Sequence, residues 1–109
     1  MCHDFKRICG EIDKALQKAG GIDSLAFDTW GVDYGLLDQN GKLIKSPVHY
    51  RDSRTRNAPE KVFEKITPEE LYAETGIQIM PINTLFQLAC EEEKSAKRLL
   101  FMPDLCAYY

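Results

Sequence analysis

The sequence lacks the features of several protein classes. No apolar run approaches the length of about 18 residues that a membrane span needs, and Met1 leads into a charged segment without the apolar core of a signal peptide. Basic residues are not in excess, since the net charge is -3 and the isoelectric point is near 5.4. The composition argues against membrane and nucleic-acid partners and predicts a cytoplasmic protein with a small ligand.

Closely spaced cysteine pairs are also absent. The four cysteines are Cys2, Cys9, Cys90 and Cys106, and none stands in a C-x-x-C arrangement. Cys2, His3 and Cys9 could in principle ligate a metal ion, but a tetrahedral site needs a fourth ligand and a rigid frame. We therefore predict reduced thiols and no metal site.

A Gly-rich phosphate loop is a third absence. The only candidates are Gly20-Gly21, at the predicted end of a helix, and the separate residues Gly31 and Gly35. Phosphoryl transfer needs a site for triphosphate and Mg²⁺ and usually a positioned carboxylate as base. The sequence therefore assigns no catalytic, cofactor-binding or metal-binding residue to this chain.

Apolar spacing predicts a long first helix. Phe5, Ile8, Ile12 and Leu16 recur in steps of three and four, and Gly20-Gly21 would end the helix. Start and stop signals predict four further helices, over 57–65, over 67–76, from 83 or 84 to about 97, and from Pro103 onward. The second of these would begin with a capping box of Thr67 and Glu70, and the third with a capping box of Thr84 and Gln87.

Short strands are predicted around a polar corner. Residues 24–27 form a first apolar strand, Trp30-Gly31 the bend, and residues 32–38 a second strand. Asn40-Gly41 would then form a type I′ turn that opens a β-hairpin. Residues 48–50 and 99–102 are predicted as brief extended runs. A strand that ends in a polar, glycine-containing corner can hold a small polar ligand.

Three motifs carry a family resemblance: D-T-W-G-V-D-Y at 28–34, Y-R-D-S-R-T at 50–55 and T-G-I-Q-I-M-P-I-N-T-L at 75–85. From about residue 22 to residue 109 the chain resembles the amino-terminal domain of the FGGY carbohydrate kinases, with the motifs in the same order along the chain. The resemblance implies an α/β fold of the ribonuclease H-like (actin-like ATPase) kind with a β-hairpin and several helices. It implies that 1–109 is one partial domain, truncated at both ends, from the sugar-binding half.

The resemblance also implies which residues touch the sugar. Gly31 matches a substrate-contacting glycine of the family, although it could be simply a turn glycine. Trp30 could offer its face to the sugar or pack under the corner. Asp28 and Asp33 could accept hydrogen bonds from sugar hydroxyls or from loop amides.

The second motif resembles the family's aromatic-x-Asp-x-Arg signature. Tyr50 stands where several relatives have Trp, which favours the branch that acts on L-rhamnulose over the xylulose and glycerol branches. Asp52 and Arg54 could form a charge-assisted pair that fixes the loop, and Arg51 or Arg54 could donate to the ligand. Asn83 could line the sugar cleft, and it could equally cap the following helix.

The resemblance implies a segment of a kinase that transfers the γ-phosphoryl group of ATP, with Mg²⁺, to the 1-hydroxyl of L-rhamnulose. The phosphate hairpin and the catalytic base would lie outside this chain, so the isolated chain is expected to be inactive. Two alternatives stay open, namely a kinase for fuculose or xylulose and a non-catalytic binding module. Self-association is expected through an exposed strand edge at residues 24–28.

Overall fold

The computed structural model describes every residue from 1 to 109, in two compact units. The first unit combines residues 1–49 and 95–109, and the second is the continuous segment 50–94. In chain order the elements are α1 (Phe5–Ala19), β1 (Tyr34–Leu37), a 3₁₀ turn (Ser53–Thr55), α2 (Ala58–Phe63), α3 (Pro68–Thr75), α4 (Thr84–Ala89), β2 (Arg98–Phe101) and α5 (Met102–Tyr108). This mixture of helices and strands agrees with the predicted α/β class. No helix has the length and apolarity needed to cross a bilayer.

The predicted first helix is confirmed as α1. The carboxylate of Asp4 caps it by accepting a hydrogen bond from the Arg7 amide at 3.0 Å. Phe5 and Cys9 point into the core, and the helix ends at Gly20, which has the positive φ of 72° that glycine tolerates best.

Gly10→Ala is expected to raise the free energy of unfolding by about 0.5–1 kcal/mol, because alanine restricts the unfolded chain and favours a helix interior. A Cβ atom at Gly10 would meet nothing within 4 Å. Chemical denaturation of the variant measures the gain. Gly20→Ala is the matched control, since its surroundings are equally open but its φ of 72° strains any other residue. A loss of stability in Gly10→Ala would show that α1 needs the glycine.

The sheet has two strands in antiparallel pairing. Tyr34 of β1 lies opposite Phe101 of β2, and Leu37 lies opposite Arg98. On its other side β1 meets the chain that returns from the turn, where the Ile44 amide donates to the Leu36 carbonyl. All four residues of β1 are buried. The strand predicted over 32–38 is therefore present, but it covers only residues 34–37. The extended run predicted at 99–102 is strand β2, which covers residues 98–101.

The turn after β1 is not of the predicted type I′. That type needs positive φ at both central residues, whereas only Gly41 (φ 77°) has it. The Gly41 amide donates to the Asp38 carbonyl at 3.1 Å, which gives a three-residue loop that ends in the left-handed glycine. The Asp38 carboxylate accepts from the amides of Lys42 and Asn40. These hydrogen bonds lower the pKa of Asp38, and the bond from the Lys42 amide has the largest effect.

Two predicted strands are absent. Residues 24–27 take part neither in the sheet nor in an isolated bridge, and Leu25 is 55% exposed. A strand needs a neighbour for its backbone groups, and this segment has no such pairing. The self-association expected through residues 24–28 stays a prediction. In the run at 48–50, only Val48 pairs, in a single bridge with Cys2.

The core of the first unit lies between α1, β1 and α5. Leu37, Met102 and Leu105 are almost completely buried there. Cys9 and Cys106 belong to the same cluster, and burial raises the pKa of both thiols. All four cysteines of the chain are free.

The second unit packs α2 against α4. The buried ring of Phe86 meets that of Phe63 edge to face, with centroids 6.0 Å apart. The capping box of α3 is confirmed, because Thr67 Oγ1 accepts from the Glu70 amide and Glu70 Oε2 accepts from the Thr67 amide. The bonds from Thr67 lower the pKa of Glu70. Gly76 closes α3 with a φ of 65°, as predicted.

Helix α4 stops at Ala89 instead of continuing to about 97. Three successive glutamates, at 91–93, follow, and acidic charge is unfavourable at a helix C-terminus. Glu91 Oε1 also accepts from the amides of Glu92 and Glu93, which offers the backbone an alternative to the helix. The predicted capping box of Thr84 and Gln87 is wrong, because the residue at the cap position is Asn83.

Candidate functional site

The site at the corner begins with the pairing of residues 1–3 and 47–49. The His3 amide donates to the Pro47 carbonyl at 2.8 Å, and the His49 amide donates to the Met1 carbonyl at 3.0 Å. His3 and His49 are diagonal neighbours in this short antiparallel ladder, where side chains are within reach of each other. Their imidazole centroids lie 4.7 Å apart.

Asp33 connects this ladder to the corner. Its side chain is fully buried, and its Oδ2 accepts hydrogen bonds from His3 Nε2 at 2.6 Å and from Trp30 Nε1 at 2.8 Å. Its carbonyl accepts from the Met102 amide, which ties the corner to the start of α5. The rings of His3 and Trp30 are 4.9 Å apart. We call His3, Trp30, Asp33 and His49 the corner cluster.

Gly31 and Trp30 are the exposed part of the corner. Trp30 remains 39% exposed although its indole nitrogen is bonded to Asp33. A Cβ atom on Gly31 would meet nothing within 4 Å, and Gly31 does not have a positive φ. Neither packing nor backbone conformation in this structure therefore requires a glycine at 31. The structure brings Trp30, Gly31 and Asp33 together, and it leaves Asp28 exposed.

The loop of the second motif is held by backbone and amide contacts. Asp52 Oδ1 accepts from the backbone amide of Arg54 at 3.0 Å and so caps the 3₁₀ turn. The guanidinium of Arg54 donates through Nη2 to Gln87 Oε1 at 3.0 Å, and its Nε is buried without a hydrogen-bond partner. The guanidinium of Arg51, an exposed residue, lies 5.4 Å from the centroid of the Tyr50 ring.

Asn83 lies at the cap position of α4, but its side chain makes no capping hydrogen bond. Its Nδ2 instead donates to the Gln78 carbonyl at 2.8 Å. Gln87 Nε2 donates to the Ile82 carbonyl at 3.0 Å. The two amides therefore brace the segment before α4 from both sides.

Sequence reasoning did not assign His3, His49 or Gln87 to this site: it weighed His3 only as a metal ligand and Gln87 only as part of a capping box. The two histidines meet through pairing of segments far apart in the chain, for which local periodicity gives no signal. Gln87 gave no signal either, because Leu85 and Leu88 predict the opposite face of α4 as the buried one, whereas the structure leaves both leucines exposed and buries Phe86 and Gln87. No group of three or more His, Cys, Asp or Glu residues is placed to hold a metal ion.

Comparison with known proteins shows that the chain is similar to rhamnulokinases over nearly its whole length. No protein-family profile matches it. It is 47% identical over 112 residues to a rhamnulokinase of Enterococcus faecalis, with 96% of this chain and 23% of that protein covered. It is 38% identical over 110 residues to a rhamnulokinase of Bacteroides thetaiotaomicron, with 95% and 23% covered.

The similarity is thus to one particular kind of sugar kinase. A third rhamnulokinase, from Klebsiella pneumoniae, is 38% identical over 117 residues, with 98% of this chain and 24% of that protein covered. The chain is a relative of the rhamnulokinases over nearly all of its residues and spans about a quarter of their length. The resemblance that the sequence predicted is confirmed as a similarity to rhamnulokinases.

Proposed function

We propose that the chain is part of the sugar-binding half of a rhamnulokinase, and that Trp30 and Gly31 form one wall of its sugar site. The complete enzyme would transfer the γ-phosphoryl group of ATP to the 1-hydroxyl of L-rhamnulose in the cytoplasm. Its fold would be the ribonuclease H-like one of the actin-like ATPases. The similarity to three rhamnulokinases supports the class of enzyme.

One observation carries the sugar site, namely that Gly31, an open glycine, stands beside the exposed side chain of Trp30 at the corner. Its φ is not positive and the space around it is open. A missing side chain at such a place lets a ligand approach the backbone amide and carbonyl. The exposed indole of Trp30 beside it provides an apolar face for the C–H groups of a sugar.

The other candidate residues divide between bracing and contact. Asp33 is buried and bonded to Trp30, so we assign it to holding the indole. Asp52 and Arg54 fix their loop through the amide cap and through Gln87. Arg51 is exposed and can donate hydrogen bonds to sugar hydroxyls. Asp28 is also exposed and can accept hydrogen bonds from them.

ATP and Mg²⁺ do not fit the residues of this chain. The structure groups no set of carboxylates or other ligands for a metal, and the sequence has no Gly-rich phosphate loop. We therefore assign the nucleotide, the Mg²⁺ and the catalytic base to other parts of the kinase. The isolated chain is expected neither to phosphorylate L-rhamnulose nor to bind ATP.

In the full-length kinase that contains this segment, Gly31→Val is expected to raise the KM for the ketose about tenfold or more, because poor positioning of a substrate costs one to two orders of magnitude. The KM for ATP should hardly change. Steady-state kinetics with each substrate varied in turn measures both constants. Gly21→Val is the matched control, because Gly21 is equally open and lies outside the corner. Equal changes in both constants, or none, would refute the sugar wall.

The same assay also decides the sugar. L-Rhamnulose, L-fuculose and D-xylulose are compared at equal concentration by the ratio of kcat to KM. Preference for L-rhamnulose supports the proposal, whereas preference for either of the other ketoses would assign the segment to a different kinase of the family. Binding of a sugar without turnover by the full-length protein would favour a non-catalytic module.

A further inference from the structure

We propose that His3 is a positioning residue, which sets the orientation of the Trp30 indole through the buried carboxylate of Asp33. The inference deepens the proposed function and rests on it for the statement that Trp30 faces the sugar. The link between His3 and Trp30 rests on the geometry of the corner cluster alone.

A single carboxylate oxygen receives both donors. Asp33 Oδ2 lies 2.6 Å from His3 Nε2 and 2.8 Å from Trp30 Nε1, so the position of this oxygen fixes the direction of the indole N–H bond. The carboxylate is fully buried, and the side chain of His3 is only 10% exposed. Hydrogen bonds to a buried carboxylate are stronger than in water and strengthen one another.

The imidazole of His3 also limits the movement of the indole directly. It lies 4.9 Å from the Trp30 ring at an angle of 38° and 4.7 Å from the His49 ring at 35°. Its own position is set by the bond from its amide to the Pro47 carbonyl. Without this imidazole the indole would lose a ring contact and the carboxylate would lose the hydrogen bond from His3.

A fixed indole matters because a sugar is bound against its face. Holding a side chain in its bound orientation before the ligand arrives lowers the entropic cost of binding. Loss of His3 is therefore expected to weaken ketose binding without changing the chemical step. The kinetic result would be a higher KM for the ketose with an unchanged kcat.

Trp30 is the single tryptophan of the chain, so its fluorescence reports the corner directly. The variants are His3→Ala, which removes ring and donor; His3→Phe, which keeps a ring without a donor; and His3→Gln, which keeps an N–H donor. Lys6→Ala is the control, since Lys6 is an exposed residue in the first turn of α1. Acrylamide quenching and the decay of anisotropy are measured on the 109-residue chain, with circular dichroism to verify folding.

His3→Ala and His3→Phe should both increase the quenching constant and the local motion of the indole. His3→Gln should return both values toward those of the unmodified chain, and Lys6→Ala should leave them unchanged. Unchanged indole signals in a folded His3→Ala would overturn the inference. If His3→Ala does not fold, the test rests on His3→Phe. Unchanged quenching and anisotropy of the indole in that variant would overturn the role of Asp33.

In the full-length kinase, His3→Ala should raise the KM for the ketose about fivefold, which is the effect of one hydrogen bond of ordinary strength. Gly31→Val tests the sugar wall without touching the cluster, so the two failures are distinguishable. An altered indole signal with an unchanged KM in His3→Ala would confirm the link between His3 and Trp30 and overturn its role in sugar binding.

Discussion

Replacing Asp33 by alanine is expected to lower the free energy of unfolding of the chain by about 3 kcal/mol. The substitution removes the acceptor of two hydrogen bonds, from His3 Nε2 and from Trp30 Nε1, and leaves a void at a fully buried position. Both hydrogen bonds are partly buried, so donors that lose this acceptor carry part of the cost of leaving water. Urea denaturation followed by circular dichroism measures the loss.

Two variants serve as controls for this result. Asp33→Asn keeps the shape and one acceptor oxygen, so about 1 kcal/mol should be lost, in line with a neutral hydrogen bond replacing a charged one. Asp23→Ala removes an exposed carboxylate and should stay within about 0.5 kcal/mol of the unmodified chain. If Asp33→Ala is as stable as Asp23→Ala, the buried carboxylate contributes nothing to the fold.

Gly35→Val is expected to cost about 2 kcal/mol, within the usual range for overpacking a core. Gly35 lies in the middle of β1, and a Cβ atom there would stand 2.6 Å from Leu105 Cδ2 and 2.9 Å from Leu43 Cδ1. Leu105 is buried in the core of the first unit and Leu43 packs against that core, so both side chains would have to shift to admit the valine. Denaturation of the variant gives the loss directly.

Gly31→Val is the matched control for Gly35→Val, because it is the same substitution four residues earlier with open space around it. It should change stability by no more than about 0.5 kcal/mol. The control also shows whether a kinetic effect of Gly31→Val comes from lost folding. Equal losses in both variants would mean that valine is unfavourable in this stretch irrespective of packing.

Local signals predicted the helices best. The spacing of Phe5, Ile8 and Ile12 gave α1 correctly, and the Thr67–Glu70 capping box gave the start of α3. These features work within one or two turns of the chain, so the residues that decide them are near each other in sequence. The end of α4 was missed because the effect of the glutamates at 91–93 on the end of the helix was not weighed.

Pairing between distant segments was not predictable in the same way. Residues 24–27 have the composition of a strand, but composition does not tell whether a neighbouring strand exists to receive their hydrogen bonds. The corner cluster depends on the pairing of residues 1–3 with 47–49, which has no turn signal of its own. Sequence reasoning therefore named Trp30 and Asp33 as candidates and missed the histidine that Asp33 binds.

The order of the two strands along the chain has a consequence for synthesis on the ribosome. β1 pairs with β2, so Tyr34 must wait for Phe101 to emerge before the sheet can close. The second unit is continuous from 50 to 94, so all of its residues leave the ribosome before β2 does. It can therefore fold first during translation, while the apolar residues of β1 remain without their partner strand. During that interval β1 is the segment most exposed to aggregation and to binding by chaperones.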